Sequence, residues 1–105
     1  MESKIKADLD TIYTPAKDIV AKEIQKEFVL IPIKDNVVDM ENKFFKLTET
    51  AKAMWDKMSL GKNLKEIARE LSMEYEAPLE LIERDLLLLV EDLLNRRMLI
   101  AVRRV

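Results

Sequence analysis

The sequence predicts an α+β domain in which an N-terminal three-stranded antiparallel sheet precedes three helices. Two observations support this assignment. Up to residue 47, β-branched and aromatic residues concentrate in short runs separated by turn residues, which is typical of strands. Beyond it, apolar residues recur at helical spacing, and strands and helices do not alternate along the chain. A length of 105 residues suits one domain.

The composition excludes several classes of function. The chain has 18 Lys and Arg against 20 Asp and Glu, and it contains no His and no Cys. It therefore lacks the ligands of zinc fingers and iron–sulfur clusters, a Cys nucleophile and a His general base. Gly61 is the single glycine, which excludes a Gly-rich phosphate loop. We expect a protein with no catalytic residues, no metal and no cofactor.

The sequence also shows no targeting or membrane segment. No apolar run approaches the roughly 18 residues that a membrane span needs. Residues 1–10 are alternately charged and lack the apolar core of a signal peptide. Because there is no Cys, nothing points to an oxidising compartment. We therefore expect a cytoplasmic protein with no membrane partner.

The N-terminal part predicts an arm followed by strands. Residues 1–16 show no strong period, so we predict a frayed N-terminal arm there and a folded domain at residues 17–105. Residues 18–24 predict a first strand that polar residues interrupt. Residues 27–33 predict a second strand, in which β-branched residues are concentrated.

Pro32 limits where the second strand can lie. It has no N–H to donate, so we expect it on an edge strand or at a position whose N–H side is open. Residues 34–36 have the composition of a turn. Residues 37–40 and 43–47 then predict two short strand segments, and the short connections imply an antiparallel meander.

Three helices follow the strands. Thr48 predicts the N-cap of the first helix, which a Gly-containing turn ends. Asn63, three residues before a Glu, predicts a capping-box-like start of the second helix. Pro78 predicts the first residue of a third helix that runs to about Arg96. Residues 98–102 form either a short strand or a segment that packs over the core.

The third helix is apolar over more of its circumference than a surface helix needs. On a helical wheel centred on Ile82, a central stripe of apolar residues faces the core. Leu81 and Leu88 lie to one side of this stripe, and Leu87 and Leu94 lie to the other. Either the helix is buried on all sides, or one flank forms an apolar groove or an oligomer contact. The sequence does not determine which flank that is.

The edges of the sheet offer a second surface. A three-stranded meander has two edges with unpaired backbone N–H and C=O groups. Either proline and charged side chains prevent further strand pairing at such an edge, or one edge stays open to accept a strand from a partner. The residues that would prevent pairing are Pro32, Glu41, Lys43 and Lys46. An apolar helix flank beside an open edge would form a peptide groove.

The predicted arrangement is winged-helix-like, although winged helices usually carry most of the sheet after the helices. The first two helices and their turn form a candidate helix-turn-helix. Its second helix carries Lys65 and Arg69 against three acidic residues, so it would repel phosphate. We therefore predict no nucleic-acid partner. Four basic residues near the C-terminus complement a helix dipole in preference to forming a nucleic-acid patch, and an acidic partner segment is a further alternative: Arg96, Arg97, Arg103 and Arg104.

Several segments, taken in order, resemble the PqqD-like family, which is named for a protein of pyrroloquinoline quinone biosynthesis. They are residues 27–33 (EFVLIPI), 44–51 (FFKLTETA), Met54-Trp55, 64–68 (LKEIA) and 74–78 (EYEAP), followed by Asp85. The resemblance covers about residues 17–100. It departs from the family at Thr48, at Ser59-Leu60 and at Arg97, which alters caps and turns more than the groove.

The resemblance implies a non-catalytic recognition domain. Such domains bind the leader of a ribosomally synthesised precursor peptide and present it to a modifying enzyme, often a radical S-adenosylmethionine protein. In the family the leader adds as a strand beside the third strand and faces the third helix. Carried over to this sequence, the candidate peptide-binding residues are Phe44, Phe45, Lys46, Leu47, Leu81, Arg84, Asp85 and Leu88.

Two other functions stay open at the level of sequence. One is a winged-helix-like transcriptional regulator, against which the acidic second helix argues. The other is a self-associating structural protein, such as a homodimer, that uses the same leucine flank. An open strand edge can also be filled by a second copy of the same chain.

Overall fold

The structure of the protein, a computed structural model, describes residues 5–34, 37–38 and 44–102. The ends of two predicted segments, at residues 39–40 and at Lys43, lie outside these ranges, as do Glu41 and the last two of the four basic residues. The elements in chain order are β1 (Ile12–Pro15), β2 (Ile19–Ile24), β3 (Glu27–Lys34), β4 (Val37–Val38), β5 (Phe45–Leu47), α1 (Glu49–Met58), α2 (Leu64–Glu74), α3 (Leu79–Asn95) and β6 (Leu99–Val102).

The predicted α+β class is confirmed, with an antiparallel sheet followed by three helices. In the larger sheet, β3 pairs with β2 and also with β4 and β5. The turn between β2 and β3 consists of Gln25 and Lys26, whose φ values are 52° and 68°. Positive φ at both positions gives the two-residue hairpin a twist that matches its strands.

Pro32 lies on a central strand, so the expectation of an edge strand is wrong. The other expectation, an open N–H side, is consistent with the register. Pro32 is opposite Ile19 of β2, while the next residue, Ile33, donates its N–H to the Asp18 carbonyl at 2.7 Å. Hydrogen-bonded and non-bonded pairs alternate in an antiparallel ladder, so the ring nitrogen of Pro32 faces away from β2. The missing donor therefore costs the β2 ladder nothing.

The predicted frayed arm is also wrong where the structure describes it. β1 pairs antiparallel with β6 in a second, two-stranded sheet. Tyr13 of β1 is only 3% exposed, and its hydroxyl accepts a hydrogen bond from the Asp8 N–H at 3.0 Å. A four-residue strand whose partner lies at the far end of the chain leaves no periodic signal of its own. Residues 98–102 supply that partner, and they also pack on the core through Met98 and Leu99.

The helix boundaries follow the predicted caps closely. The Thr48 hydroxyl accepts from the Ala51 N–H at 3.1 Å, and the Asn63 side chain accepts from the Glu66 N–H at 2.9 Å. Each cap satisfies a backbone donor that the first turn of a helix leaves unpaired. Pro78 is the N-cap of α3 and not its first residue. Gly61, with φ of 83°, reverses the chain between α1 and α2.

One hydrophobic core joins the sheets to the helices. α2 contributes four fully buried residues, Leu64, Ile67, Ala68 and Leu71, and α3 packs across them. The inner face of the larger sheet adds Leu30 and Leu47. Within the described part of the chain, no helix is long and apolar enough to cross a membrane.

Candidate functional site

The strand β5, which lies within the predicted segment 43–47, has a strand partner on one side only among the described residues. It pairs with β3 in the register Phe28↔Leu47, Val29↔Lys46 and Leu30↔Phe45. The phase of this ladder, meaning which of its residue pairs are hydrogen-bonded, follows from the neighbouring ladder between β2 and β3. The backbone N–H of Ile33 bonds toward β2. Because the bonding direction alternates along a strand, the residues of β3 with even numbers direct their backbone groups toward β5.

This phase decides which backbone groups of β5 are available. Phe28 and Leu30 direct their N–H and C=O groups toward β5, so they form hydrogen-bonded pairs with Leu47 and Phe45. Lys46, between those two residues, directs its backbone N–H and C=O away from β3. The outer edge of β5 therefore presents one donor and one acceptor from a single residue.

A groove of about 650 Å³ runs along this edge, between β5, α1 and α3. Its walls are mostly apolar, with three hydroxyl groups and two charged residues. The lining residues are Phe45, Lys46, Thr48, Thr50, Ala51, Met54, Tyr75, Ala77, Ile82, Asp85, Leu88 and Leu89. A mainly apolar concave surface beside an unpaired strand edge suits an extended peptide.

The α3 wall of the groove is a stripe at helical spacing. Ile82, Asp85 and Leu89 are three and four residues apart, so they share one side of the helix. Ile82 is buried at the base, whereas Leu88 is 60% exposed at the rim. Helical periodicity thus turns one flank of α3 toward β5.

An aromatic–cation contact closes one end of the groove. The Arg96 guanidinium lies 4.9 Å from the centre of the Phe45 ring, and its Nε donates to Asp92 at 2.8 Å. The C-terminal end of α3 therefore lies beside the start of β5. Asp85, eleven residues earlier in α3, also lines the groove, so the groove extends from this contact toward the N-terminal half of α3.

Four of the eight predicted peptide-binding residues line this groove together: Phe45, Lys46, Asp85 and Leu88. Leu47 points to the same face of β5 as Phe45, but it is only 6% exposed in the hydrophobic core and is not a lining residue. Leu81 and Arg84 are exposed on α3 but are not lining residues.

Phe44 lies apart from the groove. It lines a smaller cavity of about 160 Å³ with Val29, Ile31 and Lys46. Val29 is opposite Lys46 in the register, so this cavity is on the sheet face that points away from the helices. A peptide in the groove would contact Phe45 and not the Phe44 side chain.

Sequence reasoning missed the contribution of α1 and of the α2–α3 connection. Thr48, Thr50, Ala51 and Met54 come from the start of α1, and Tyr75 follows α2. Met54 is only 2% exposed and lies at the base of the groove. The small residue Ala51, one turn earlier, was a signal of a concave surface there.

The charged residues of the groove differ in their partners. The Lys46 ammonium pairs with Glu27 at 3.0 Å. Asp85 makes no ion pair with the residues that the structure describes. No cluster of acidic side chains suited to a metal ion occurs within residues 5–34, 37–38 and 44–102.

The main ion-pair cluster lies elsewhere, between α1 and α2. Lys57 donates to Glu70 at 2.9 Å and Lys62 donates to its other oxygen at 2.5 Å. These hydrogen bonds, from Lys62 first and Lys57 second, hold the pKa of the Glu70 carboxyl below its usual value. The bonds to Glu70 and Glu74 raise the pKa of Lys57. Lys57 of α1 and Lys62 of the following turn thus partly neutralise the acidic surface of α2.

Comparison with known proteins supports the fold. Two solved structures share the fold, each with a TM-score of 0.69. One is a lasso peptide synthetase B1 complexed with the leader peptide, 22% identical over 85% of this chain and 98% of that chain. The other is TbiB1 in complex with the TbiA(beta) leader peptide, 23% identical over 87% of this chain and 99% of that one.

The sequence comparisons add the family. No curated protein matches the chain. The model of the family described as coenzyme PQQ synthesis protein D (PqqD) matches residues 27–99, which is more than half of the chain. The chain therefore belongs to the PqqD family.

Proposed function

We propose that this protein is a non-catalytic module that binds the leader of a ribosomally synthesised precursor peptide and presents it to a separate modifying enzyme. The observation that carries the proposal is the outer edge of β5 beside the apolar groove of α3. Both structural neighbours were solved in complex with leader peptides, which supports leader binding by this chain.

Backbone pairing and side-chain burial would share the recognition. An extended segment beside β5 forms hydrogen bonds with the N–H and C=O of Lys46, and these bonds do not depend on the sequence of the segment. Alternate side chains of the segment face Phe45, Leu88 and Leu89, where burial contributes about 25 cal/mol per Å² of apolar surface. Affinity therefore comes from both walls of the groove.

The strand-addition step is tested by Lys46→Pro. Proline removes the outward N–H while leaving the bonds of Phe45 and Leu47 to β3 in place. We expect peptide affinity to fall at least tenfold, because one ladder bond is lost and the ring obstructs the edge. The control is Lys46→Ala, which keeps the N–H and should bind nearly as well as the natural protein.

A suitable probe comes from a display library of short randomised peptides selected on the natural protein. Isothermal titration calorimetry of a selected peptide then gives the dissociation constants of both variants, with circular dichroism to confirm that they fold. Equal affinities for Lys46→Pro and Lys46→Ala would show that the strand edge is not used.

The apolar wall is tested by Leu88→Asp. A carboxylate at this exposed rim position leaves the fold intact but introduces a charge beside the bound segment. We expect binding of the selected peptide to be lost. Leu60→Asp, at a position 71% exposed in the turn after α1, is the matched control and should not change binding. Leu81→Asp and Arg84→Ala measure how far the binding surface extends along α3.

The partners are tested by a tagged pull-down from the native host, with mass spectrometry that includes small peptides. We expect a precursor peptide and a modifying enzyme, with a radical S-adenosylmethionine protein as the candidate. Both should be lost with Leu88→Asp or Lys46→Pro. Retention of DNA, or of more of the same chain alone, would instead support a regulator or a self-associating protein.

A further inference from the structure

Asp85 differs from every other described residue that lines the groove. The other lining residues are apolar or carry hydroxyl groups, except for Lys46, and the ammonium of Lys46 is already paired with Glu27. Asp85 has no such partner among the described residues and stands in the α3 wall facing β5. A carboxylate in this position favours an occupant of the groove that carries a positive charge there.

We propose that Asp85 selects a bound peptide segment in which a Lys or Arg stands two residues before an apolar residue. This inference rests on the proposed function and specifies the peptide that the groove accepts. The cation would lie against Asp85, and the apolar residue would lie against Leu89 and Phe45.

The spacing follows from the two periodicities. Asp85 and Leu89 are four residues apart, so they are separated by about 6 Å along the helix axis at 1.5 Å per residue. Residues i and i+2 of an extended strand point to the same face and are separated by about 6.8 Å. Two side chains at i and i+2 of a bound strand can therefore contact Asp85 and Leu89 together.

The order of the two residues follows from direction. The contact of Arg96, at the C-terminal end of α3, with Phe45, at the start of β5, points to opposite directions for α3 and β5, since Asp85 lines the same groove eleven residues earlier in the helix. Antiparallel pairs are somewhat more stable per residue than parallel ones, so an added strand should run antiparallel to this short edge. Such a strand runs in the direction of α3. Its basic residue would then precede its apolar residue.

The positions of Arg96 and Arg84 indicate which end of the groove favours a cation of the peptide. Arg96 covers Phe45 at the opposite end and is paired with Asp92. Arg84 is exposed next to Asp85 in the sequence but is not among the lining residues. A cation in the peptide is therefore favoured beside Asp85 and disfavoured beside Arg96.

The test selects the same randomised peptide library in parallel on the natural protein, on Asp85→Asn and on Asp85→Lys. We expect Lys and Arg to be enriched two positions before the apolar residue on the natural protein. The enrichment should disappear on Asp85→Asn and change to Asp and Glu on Asp85→Lys. For one selected peptide, replacing the basic residue with Gln should weaken binding to the natural protein about two- to fivefold, and leave binding to Asp85→Asn unchanged.

The outcomes separate this inference from the proposed function. If the same residues are enriched on all three proteins, and Lys46→Pro still weakens binding at least tenfold, the groove binds peptides but Asp85 does not select them. If the basic residue is enriched two positions after the apolar one, the strand direction is wrong and the proposal fails as stated. If no peptide is enriched on the natural protein, the proposed function and this inference both fail.

Discussion

The two flanks of α3 have the same kind of residues in the sequence but different surroundings in the fold. On one flank, Leu94 is 8% exposed and Leu87 packs against the core. On the other, Leu81 and Leu88 are 41% and 60% exposed. Two leucines on each side of one stripe therefore give one covered flank and one open flank. The covered flank stabilises the domain, while the open one is available to a partner.

The difference arises from a segment far away in the sequence. The Ile5 N–H donates to the Asn95 side chain at 3.1 Å, and the Ala7 N–H donates to Glu91 at 3.0 Å. These bonds hold the N-terminal segment along α3. The segment predicted to be a frayed arm thus belongs to the packing of this helix, and α3 alone does not reveal which side it takes.

The largest expected effect distinguishes the flanks by stability. Leu94→Ala should lower the free energy of unfolding by about 2–4 kcal/mol, since it leaves a cavity in the core. Leu88→Ala should change it by no more than about 0.5 kcal/mol, since the side chain is already in contact with water. Urea denaturation of both variants measures the difference. Equal losses would contradict the assignment of the flanks.

A smaller effect tests how the covered flank is formed. Replacing both Glu91 and Asn95 with Ala removes the side chains that hold the N-terminal segment. We expect a loss of about 1 kcal/mol in unfolding free energy and faster amide hydrogen exchange at residues 5 and 7. Glu83→Ala, on the same helix, is the control and should change neither quantity. Unchanged exchange in the double variant would mean that the segment is held by other contacts.

The aromatic–cation contact at the end of the groove should contribute less. Arg96→Ala should reduce the unfolding free energy by about 0.5 kcal/mol, because such contacts are weak where water has access. Arg96→Lys keeps the charge but not the planar group, so its effect should be intermediate. Chemical shifts of the Phe45 ring protons report the contact directly, and no shift in either variant would show that the contact does not form in solution.

The smallest effect lies away from both flanks, in the ion pairs of Glu70. Its pKa in the folded protein is below the usual value of 4.5, so the pairs stabilise the fold fully above about that pH. The stabilisation is lost as the pH falls through the lowered pKa. Glu70→Gln should therefore have less dependence of stability on pH on the acid side of 4.5, as measured by urea denaturation at several pH values. Peptide binding at neutral pH should not change. If it does change, the peptide contacts more of the surface than the open flank of α3 and its groove.

The sequence predicted local features well because their causes are local. Thr48 and Asn63 cap the helices that they precede, and the apolar stripe around Ile82 faces the core. It did not predict that β1 exists, because the partner of β1 is β6, at the far end of the chain. Among the site residues, Phe45 and Lys46 were predicted because they lie in a strand segment. Tyr75 could be assigned to the groove only from the packing of α2 against α3.

The pairing of β1 with β6 has a consequence for the synthesis of the protein. The two strands join residues 12–15 to residues 99–102, so the second sheet forms only after nearly the whole domain has been translated. Contacts this distant in sequence slow folding. Nascent chains stalled before residue 99 should remain open to proteases at residues 12–15, and chains stalled well beyond residue 102 should be protected there.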